Sequence, residues 1–143
     1  MADFNQVDPS KYIASWNGIR IQGYMDGTMI ALARDEDAYT GQAGSQGDVV
    51  VVRNLNRMGT VTVTLQQSSP TNTELSAKFN DSERTGTLEV GELHVKDLNG
   101  NTVAEAERAW LMKPADVELS GELAGREWAI QCAELLVTVG GNE

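Results

Sequence analysis

The segment Thr60-Val61-Thr62-Val63-Thr64-Leu65 alternates polar and apolar residues over six consecutive positions. Because successive side chains of a β-strand point to opposite faces, this alternation predicts a strand with threonines on one face and a buried apolar row on the other. It is the clearest strand signal in the chain. Such a strand belongs to a sheet that has one face against the core and the other face away from it.

Other short β-prone runs are separated by turn dipeptides. Asn17-Gly18, Asp26-Gly27 and Asn99-Gly100 suit type I′ turns, because both central residues of such turns take positive φ. The pattern is typical of a mainly antiparallel β domain. The further predicted strands are Tyr12–Trp16, Ile19–Tyr24, Thr28–Arg34, Val49–Arg53, Leu93–Leu98 and an alternating run that contains Trp128, Ile130 and Cys132.

One helix is predicted after the alternating strand. Ser69 can cap the first amides, Pro70 suits the first helical position, and Leu75 and Phe79 fall on one face. We expect this helix to continue to about Asn80.

Residues 102–112 fit either a helix or a strand. Val103, Ala106 and Trp110 would form a helical stripe, and the alanine and glutamate residues between them are good helix formers. A turn at Asn99-Gly100 would instead make a hairpin that sets His94 opposite Glu105. We favour the strand.

Composition and charge limit the classes of function. The 143 residues, with 41% hydrophobic residues and 14 glycines, fit a single domain over residues 1–143. The net charge of −10 opposes tight binding to nucleic acid phosphates. The first ten residues lack the basic and apolar regions of a secretory signal, and apolar runs such as Val49–Val52 are too short for stable membrane insertion.

No motif in the sequence indicates catalysis, a cofactor or a metal. A single cysteine, Cys132, and a single histidine, His94, exclude an intrachain disulfide and a Cys/His zinc cluster in a monomer. The glycine-rich stretch Gly41–Gly47 leads into a β-run, whereas a phosphate loop leads into a helix. We therefore expect no enzyme activity, no cofactor-binding site and no metal site.

The polar, glycine-rich residues 35–48 are predicted to form a long irregular loop. Loops of this length are commonly functional or mobile. We expect this loop to contact another protein chain. Its candidate contact residues are Asp35, Glu36, Asp37, Tyr39, Gly41, Gly44, Gly47 and Asp48.

The order of several landmarks along the chain resembles the structural-protein family that builds the inner tail tube of contractile-tailed bacteriophages. The resemblance covers nearly the whole chain, and its most specific part is the alternating strand that runs through Leu-Gln-Gln-Ser-Ser-Pro into the helix. The landmarks are Asp8-Pro9-Ser10-Lys11, Asn17-Gly18, Gly23–Thr28, Gly41–Gly47, Thr60–Leu75, Arg126–Cys132 and Val139–Asn142.

The resemblance implies a mainly β (α+β) subunit, an antiparallel β-sandwich or rolled β-barrel with one flanking α-helix. It implies hexameric rings that stack into a hollow tube in the virion, assembled in the host cytoplasm. The loop at residues 35–48 is the candidate for contact with an adjacent subunit or the next ring. The implied partners are further copies of the chain and the tail sheath, baseplate and tail terminator proteins. Genomic DNA would pass through the tube during ejection without specific binding.

Two sets of residues are candidates for the lumen face of such a tube. An acidic lumen would repel DNA phosphates over about 8 Å at physiological ionic strength. The residues do not decide which sheet faces inward. The candidates are Thr60, Thr62 and Thr64 on one strand, or Glu89, Glu92, Glu105 and Glu107.

Two alternatives remain at this point. The chain could be the tube component of a type VI secretion system or a related contractile injection system. It could also be a small β-sandwich carbohydrate-binding module, which would require Trp16, Trp110 or Trp128 to be exposed in a groove.

Overall fold

Antiparallel strands make up most of the computed structural model, which describes residues 9–25, 27, 29–98 and 102–140. A short 3-10 helix, Pro9–Lys11, precedes the first strand. In chain order the other elements are β1 Tyr12–Trp16, β2 Ile19–Ile21, β3 Ile30–Arg34, β4 Tyr39–Ala43, β5 Val49–Arg53, β6 Gly59–Gln66, α1 Thr71–Thr85, β7 Gly91–Asp97, β8 Val103–Leu111, β9 Gly125–Cys132 and β10 Leu136–Thr138.

Eight of these strands form one sheet in the order β2-β1-β7-β8-β9-β6-β3, and β10 pairs with β8. Its inner face contributes to a single buried cluster, so the sheet wraps around one core. The end strands β2 and β3 do not pair with each other in the described part of the chain, so the sheet is not a closed barrel. The expected class, mainly β and antiparallel with one helix, is confirmed.

Strand β6 lies inside the sheet between β3 and β9, as its alternation requires. Val61, Val63 and Leu65 are fully buried, whereas the intervening threonines are half-buried on the opposite face. Burial of an aliphatic side chain of this size stabilises a fold by about 1.5–3 kcal/mol. Strand β6 is therefore a main support of the core.

Residues 102–112 adopt the strand, β8, with His94 opposite Glu105 as expected. The register against β7 shifts between Gly91 and Leu93. Because of this irregularity the buried residues change phase, from Ala104 and Ala106 to Ala109 and Leu111. This change of phase interrupts the two-residue spacing of the apolar positions, so that their spacing in the sequence resembles that of the apolar face of a helix. The predicted Asn99-Gly100 turn lies outside the described residues.

The predicted helix is confirmed, but its expected end at Asn80 is wrong. Helix α1 continues to Thr85, and Gly86 ends it in the left-handed conformation at φ 73° with its N–H bonded to Ser82 O. Glycine adopts this conformation without the steric cost that other residues have. The Thr71 N–H bonds to Ser69 Oγ at 3.3 Å, in agreement with a capping role for this serine.

The expected irregular loop at residues 35–48 is wrong in its secondary structure. Residues 39–43 form β4, which pairs with β5 from Tyr39↔Arg53 to Ala43↔Val49 in a separate two-stranded sheet. The backbone of β5 forms the hydrogen bonds that hold this glycine-containing segment in a strand. The turn between the strands does use the conformational freedom of glycine, because Gly47 takes φ 90°.

Two predicted strands are shorter than expected. Strand β2 ends at Ile21, after which Gly23 takes φ 75° and Tyr24 makes only an isolated bridge to Leu65. Strand β3 begins at Ile30. The predicted Asp26-Gly27 turn lies partly outside the described residues.

Gly59 occupies a position where the chain has no room for a side chain. A Cβ there would lie 2.5 Å from Leu135 Cδ2 and 2.7 Å from Leu135 Cβ. We expect Gly59→Ala to lower the free energy of unfolding by about 1–3 kcal/mol, because the core must shift to admit a methyl group. Urea unfolding measures this loss. Gly121→Ala is the matched control, since no atom lies within 4 Å of its Cβ position, and an equal loss in both variants would contradict the packing argument.

Candidate assembly surface

The β4–β5 hairpin, residues 39–53, projects from the main sheet with both of its faces exposed. Val49, Val50, Val51 and Val52 are 49–68% exposed, and Tyr39 on β4 is equally open. An isolated two-stranded hairpin is marginally stable in water, and a contiguous exposed apolar patch marks an interaction site. The hairpin is therefore the strongest candidate for a contact with another protein.

Backbone and side-chain hydrogen bonds hold the base of the hairpin. The Asp35 N–H donates to Met58 O at 3.0 Å, and the Asn54 N–H donates to Ala38 O at 2.8 Å. The Thr60 hydroxyl donates to Asp35 Oδ1 at 3.1 Å. These bonds connect the hairpin to the end of the main sheet where β3 finishes and β6 begins.

The residues predicted for a loop contact fall into three places on this hairpin. Asp35, Glu36 and Asp37 are at its base, Tyr39 and Gly41 are in β4, and the remainder are near its turn. In the turn the Gly44 N–H donates to Asp48 O at 2.7 Å. Their role in contacts between subunits stays a prediction.

The valine run of β5 is an assembly candidate that the residue-by-residue prediction missed. The predicted strand at Val49–Val52 is present, and its valines are exposed. A signal was present, because four consecutive β-branched residues cannot all face one side of a sheet. Such a run places apolar side chains on both faces of its strand, so each face gains by being covered.

A cleft of about 620 Å³ lies between the hairpin base and the outer face of β7 and β8. Three of the four candidate lumen glutamates line it together with His94, whose Nε2 lies 3.4 Å from Glu92 Oε2. Four arginines share the cleft, so it is mixed in charge. Its charged lining consists of Arg34, Arg53, Arg57, Arg108, Glu92, Glu105, Glu107, Glu134 and His94.

The fourth candidate glutamate, Glu89, lies elsewhere. It accepts a hydrogen bond from Asn17 Nδ2 at 2.9 Å and is 3.6 Å from Lys78 Nζ. Its carboxylate therefore connects the chain before β7 to the turn after β1 and to helix α1.

The candidate threonines and two of the candidate glutamates lie on the outer face of the main sheet. Thr60, Thr62 and Thr64 point away from the core on β6, as Glu105 and Glu107 do on β8, where Glu105 is paired with Leu136 of β10. Both groups therefore belong to the outer side of the same sheet, at different places along it. Which surface lines a lumen stays a prediction.

Two of the three tryptophans belong to the core. Trp16 is buried and donates from Nε1 to Ala109 O at 2.9 Å, and Trp128 is buried and donates from Nε1 to Asn72 Oδ1 at 2.9 Å. Trp110 is half-buried on the outer face of β8. A carbohydrate site of the kind considered above would have to be built around Trp110.

Cys132 and Tyr24 are two weak acids held in apolar surroundings. Burial raises the pKa of the Cys132 thiol from 9.0 to about 11, with the Asp35 carboxylate adding to the effect. Burial also raises the pKa of Tyr24 from 10.0 to about 12. The Tyr24 hydroxyl has no hydrogen-bond partner among the described residues.

These shifts predict a loss of stability at alkaline pH. Both groups lose their protons at lower pH in the unfolded chain than in the folded one, so their contribution is complete below pH about 9 and falls as the pH rises to about 12. Tyr24→Phe should weaken this decline between pH 10 and 12 without loss of stability at pH 7, since the lost hydroxyl bonds to nothing described. Unfolding by urea at several pH values tests this, and identical pH profiles for the two proteins would contradict it.

The described residues contain no group of three or more His, Cys, Asp or Glu side chains arranged to hold a metal ion. In the same part of the chain, no helix has the length and apolar character required to cross a bilayer.

Comparison with known proteins identifies a matching family model and solved structures with a similar fold. The family model of the bacteriophage PhiTE tail tube protein matches residues 15–140. No curated protein sequence matches the chain.

Three of the solved structures that share this fold align with nearly the whole chain. The tube-terminating cap of the anti-feeding prophage has 9% identity and a TM-score of 0.63, over 96% of this chain and 94% of that one. The sheath/tube terminator of the extracellular contractile injection system PVC, in its extended state, has 14% identity and a TM-score of 0.64, over 96% and 100%. The extended PVC sheath-tube complex contains a chain with 13% identity and a TM-score of 0.61, over 93% and 91%. At these identities the likeness is one of fold.

Proposed function

The chain belongs to the bacteriophage PhiTE tail tube protein family, and we propose that its copies form hexameric rings that stack into the hollow inner tube of a contractile tail. Membership of this family makes it a structural tail protein. Its single domain, residues 1–143, is the repeating unit of the tube. The role is structural and not enzymatic.

The exposed hairpin carries this proposal. A monomer gains nothing from four consecutive valines in water, whereas burying each of them fully would stabilise a contact by about 1.5–3 kcal/mol. Among the described residues, the end strands β2 and β3 also have unpaired edges, which neighbouring copies could cover by pairing. Self-assembly removes both liabilities of the free subunit.

The proposed partners are other copies of the chain and the tail sheath, baseplate and tail terminator proteins. Two of the structures that share the fold are tube terminators, and the third is part of a sheath-tube complex. These likenesses support a subunit placed in a contractile tail, and we propose that this tail belongs to a virion and is assembled in the host cytoplasm.

Genomic DNA passes through the proposed tube without specific binding. The net charge of −10 per chain opposes attraction between the tube and DNA phosphates. The outer sheet surface with Thr60, Thr62 and Thr64 and with Glu105 and Glu107 is the proposed lumen lining. Arginines beside the glutamates moderate this repulsion locally.

A second candidate is the tube component of a contractile injection system that is not a phage tail. The fold shared with the chains from anti-feeding prophage and PVC particles supports this reading. The neighbouring genes separate the two, since capsid and terminase genes accompany a phage tail.

Electron microscopy of the purified protein over a concentration series tests the proposal. Hollow tubes of uniform width with six-fold symmetry in end views are the expected result. Rings of another symmetry would reject the hexamer. If only monomers form, even with purified baseplate as an initiator, the tube function is rejected.

A further inference from the structure

The described surface carries a second group of exposed apolar residues, in the connection between β8 and β9. We call residues 112–124 the β8–β9 segment. Within it Val117, Leu119 and Leu123 are 60%, 85% and 83% exposed. The segment contains no helix or strand. Leucines this exposed call for a covering partner, as the hairpin valines do.

The hairpin and the β8–β9 segment lie at opposite ends of the same strands. Gly59, at the start of β6, pairs with Arg34 and Cys132 next to the hairpin base. Gln66, at the end of β6, pairs with Gly125, which directly follows the segment. The eight residues of β6 separate the two ends by about 23 Å.

Two local contacts keep the segment at its end of the sheet. The Ala124 N–H donates to Gln67 Oε1 at 3.4 Å, just beyond the end of β6. Ala115 is buried and anchors the first half of the segment in the core. Its exposed leucines are therefore presented at a defined end of the subunit.

Two different apolar surfaces at opposite ends of one chain favour a head-to-tail contact. A contact between unlike surfaces repeats in one direction and makes an open polymer, whereas a contact between like surfaces closes as a dimer. Each copy has one surface of each kind, so stacking covers every hairpin and every segment except at the two ends of the polymer.

We propose that the hairpin of one copy packs against the β8–β9 segment of a second copy in the next ring. The inference rests on the proposed tube function and names the surfaces that join its rings. Tyr39 and the valines of β5 supply one side of the contact, and Val117, Leu119 and Leu123 supply the other.

The small size of this contact suits assembly that begins only when several copies act together. Five apolar side chains against three are far fewer than the roughly 20–30 residues a side of a stable two-protein interface. One such contact is therefore weak, and the repetition of the contact around a ring makes stacking strong.

Cross-linking between the two surfaces tests the proposal. Leu119→Cys is combined with Val50→Cys in one protein and with Val51→Cys in another, so that both faces of the hairpin are sampled. Tubes are verified by electron microscopy and treated with a short bis-maleimide. We expect at least one pair to give a ladder of covalent trimers and higher oligomers, because each chain then has two linked neighbours.

The single-cysteine variants are the controls, and they should give no ladder. The native thiol, Cys132, is buried and stays silent in the folded protein. A pair of Leu119→Cys with Glu83→Cys, on the exposed side of α1, controls for chance proximity. If a double variant does not form tubes alone, its two single variants are added together as minor components of wild-type tubes, where a covalent heterodimer is expected.

The outcomes separate this inference from the function beneath it. Tubes without any cross-link between the two surfaces overturn the proposed contact and leave the tube function standing. Covalent dimers from Val50→Cys or Val51→Cys alone would show a hairpin-to-hairpin contact and would also overturn it. A wild-type protein that makes no tubes with purified baseplate rejects the function itself.

Discussion

We expect the double substitution Val50→Asp and Val51→Asp to abolish tube formation while the subunit stays folded. The two residues point to opposite faces of β5, so the variant places a carboxylate on each face of the hairpin. Burial of an unpaired charge in an apolar contact costs several kcal/mol. Since about 1.4 kcal/mol is a tenfold change in affinity, the concentration required for assembly should rise by more than about 100-fold.

Sedimentation and electron microscopy measure this loss of assembly, and circular dichroism with thermal unfolding reports the fold. The matched control, Thr73→Asp with Ala77→Asp, adds the same two charges to the exposed face of α1. It should assemble as the wild type does. Tubes of normal length from the hairpin variant would show that the valines lie outside the contacts between subunits.

The largest loss of stability is expected from Trp16→Ala. This side chain is almost fully buried, on a strand between β2 and β7, and its Nε1 donates to Ala109 O at 2.9 Å. Removal of a buried aromatic side chain typically costs about 3–5 kcal/mol, because the surrounding core fills the cavity only in part. Against a total stability of about 5–15 kcal/mol, the variant should be partly unfolded at 37 °C.

Urea unfolding of the monomer measures the effect, and Trp16→Phe separates its two components. The phenylalanine variant keeps most of the apolar volume but leaves the Ala109 carbonyl without its indole donor, which should cost about 1–3 kcal/mol. Trp110→Ala is the control on the outer face, where the same truncation should cost less. Equal losses for Trp16→Ala and Trp110→Ala would contradict the assignment of Trp16 to the core.

Strands whose two faces differ in environment were predictable from sequence. Thr60–Leu65 alternates because one face of β6 covers the core and the other does not. The pairing of His94 with Glu105 also followed from the sequence, because it depends only on a local hairpin register. The resemblance to tail tube proteins was predictable too, and the family match confirms it.

The hairpin and the end of the helix were not predicted correctly. Strand β4 has no hydrophobic alternation of its own, and it becomes a strand through its backbone hydrogen bonds to β5. The last turn of α1 contains only polar residues, so no apolar periodicity extends beyond Phe79. Pairing with β5 makes β4 a strand, and the cap at Gly86 sets the end of α1.

The sequence by itself determined the β class, the position of the helix, the burial of the β6 valines and the acidic character of the subunit, because each depends on residue type or on neighbours a few positions away. Only the tertiary structure decided that the sheet stays open and that the candidate threonines, Glu105 and Glu107 all lie on its outer face. It also decided that the exposed hairpin and the β8–β9 segment stand at opposite ends of the subunit. These features depend on which strands pair across long stretches of chain. The hydrophobic periodicity of one strand does not determine which distant strand pairs with it.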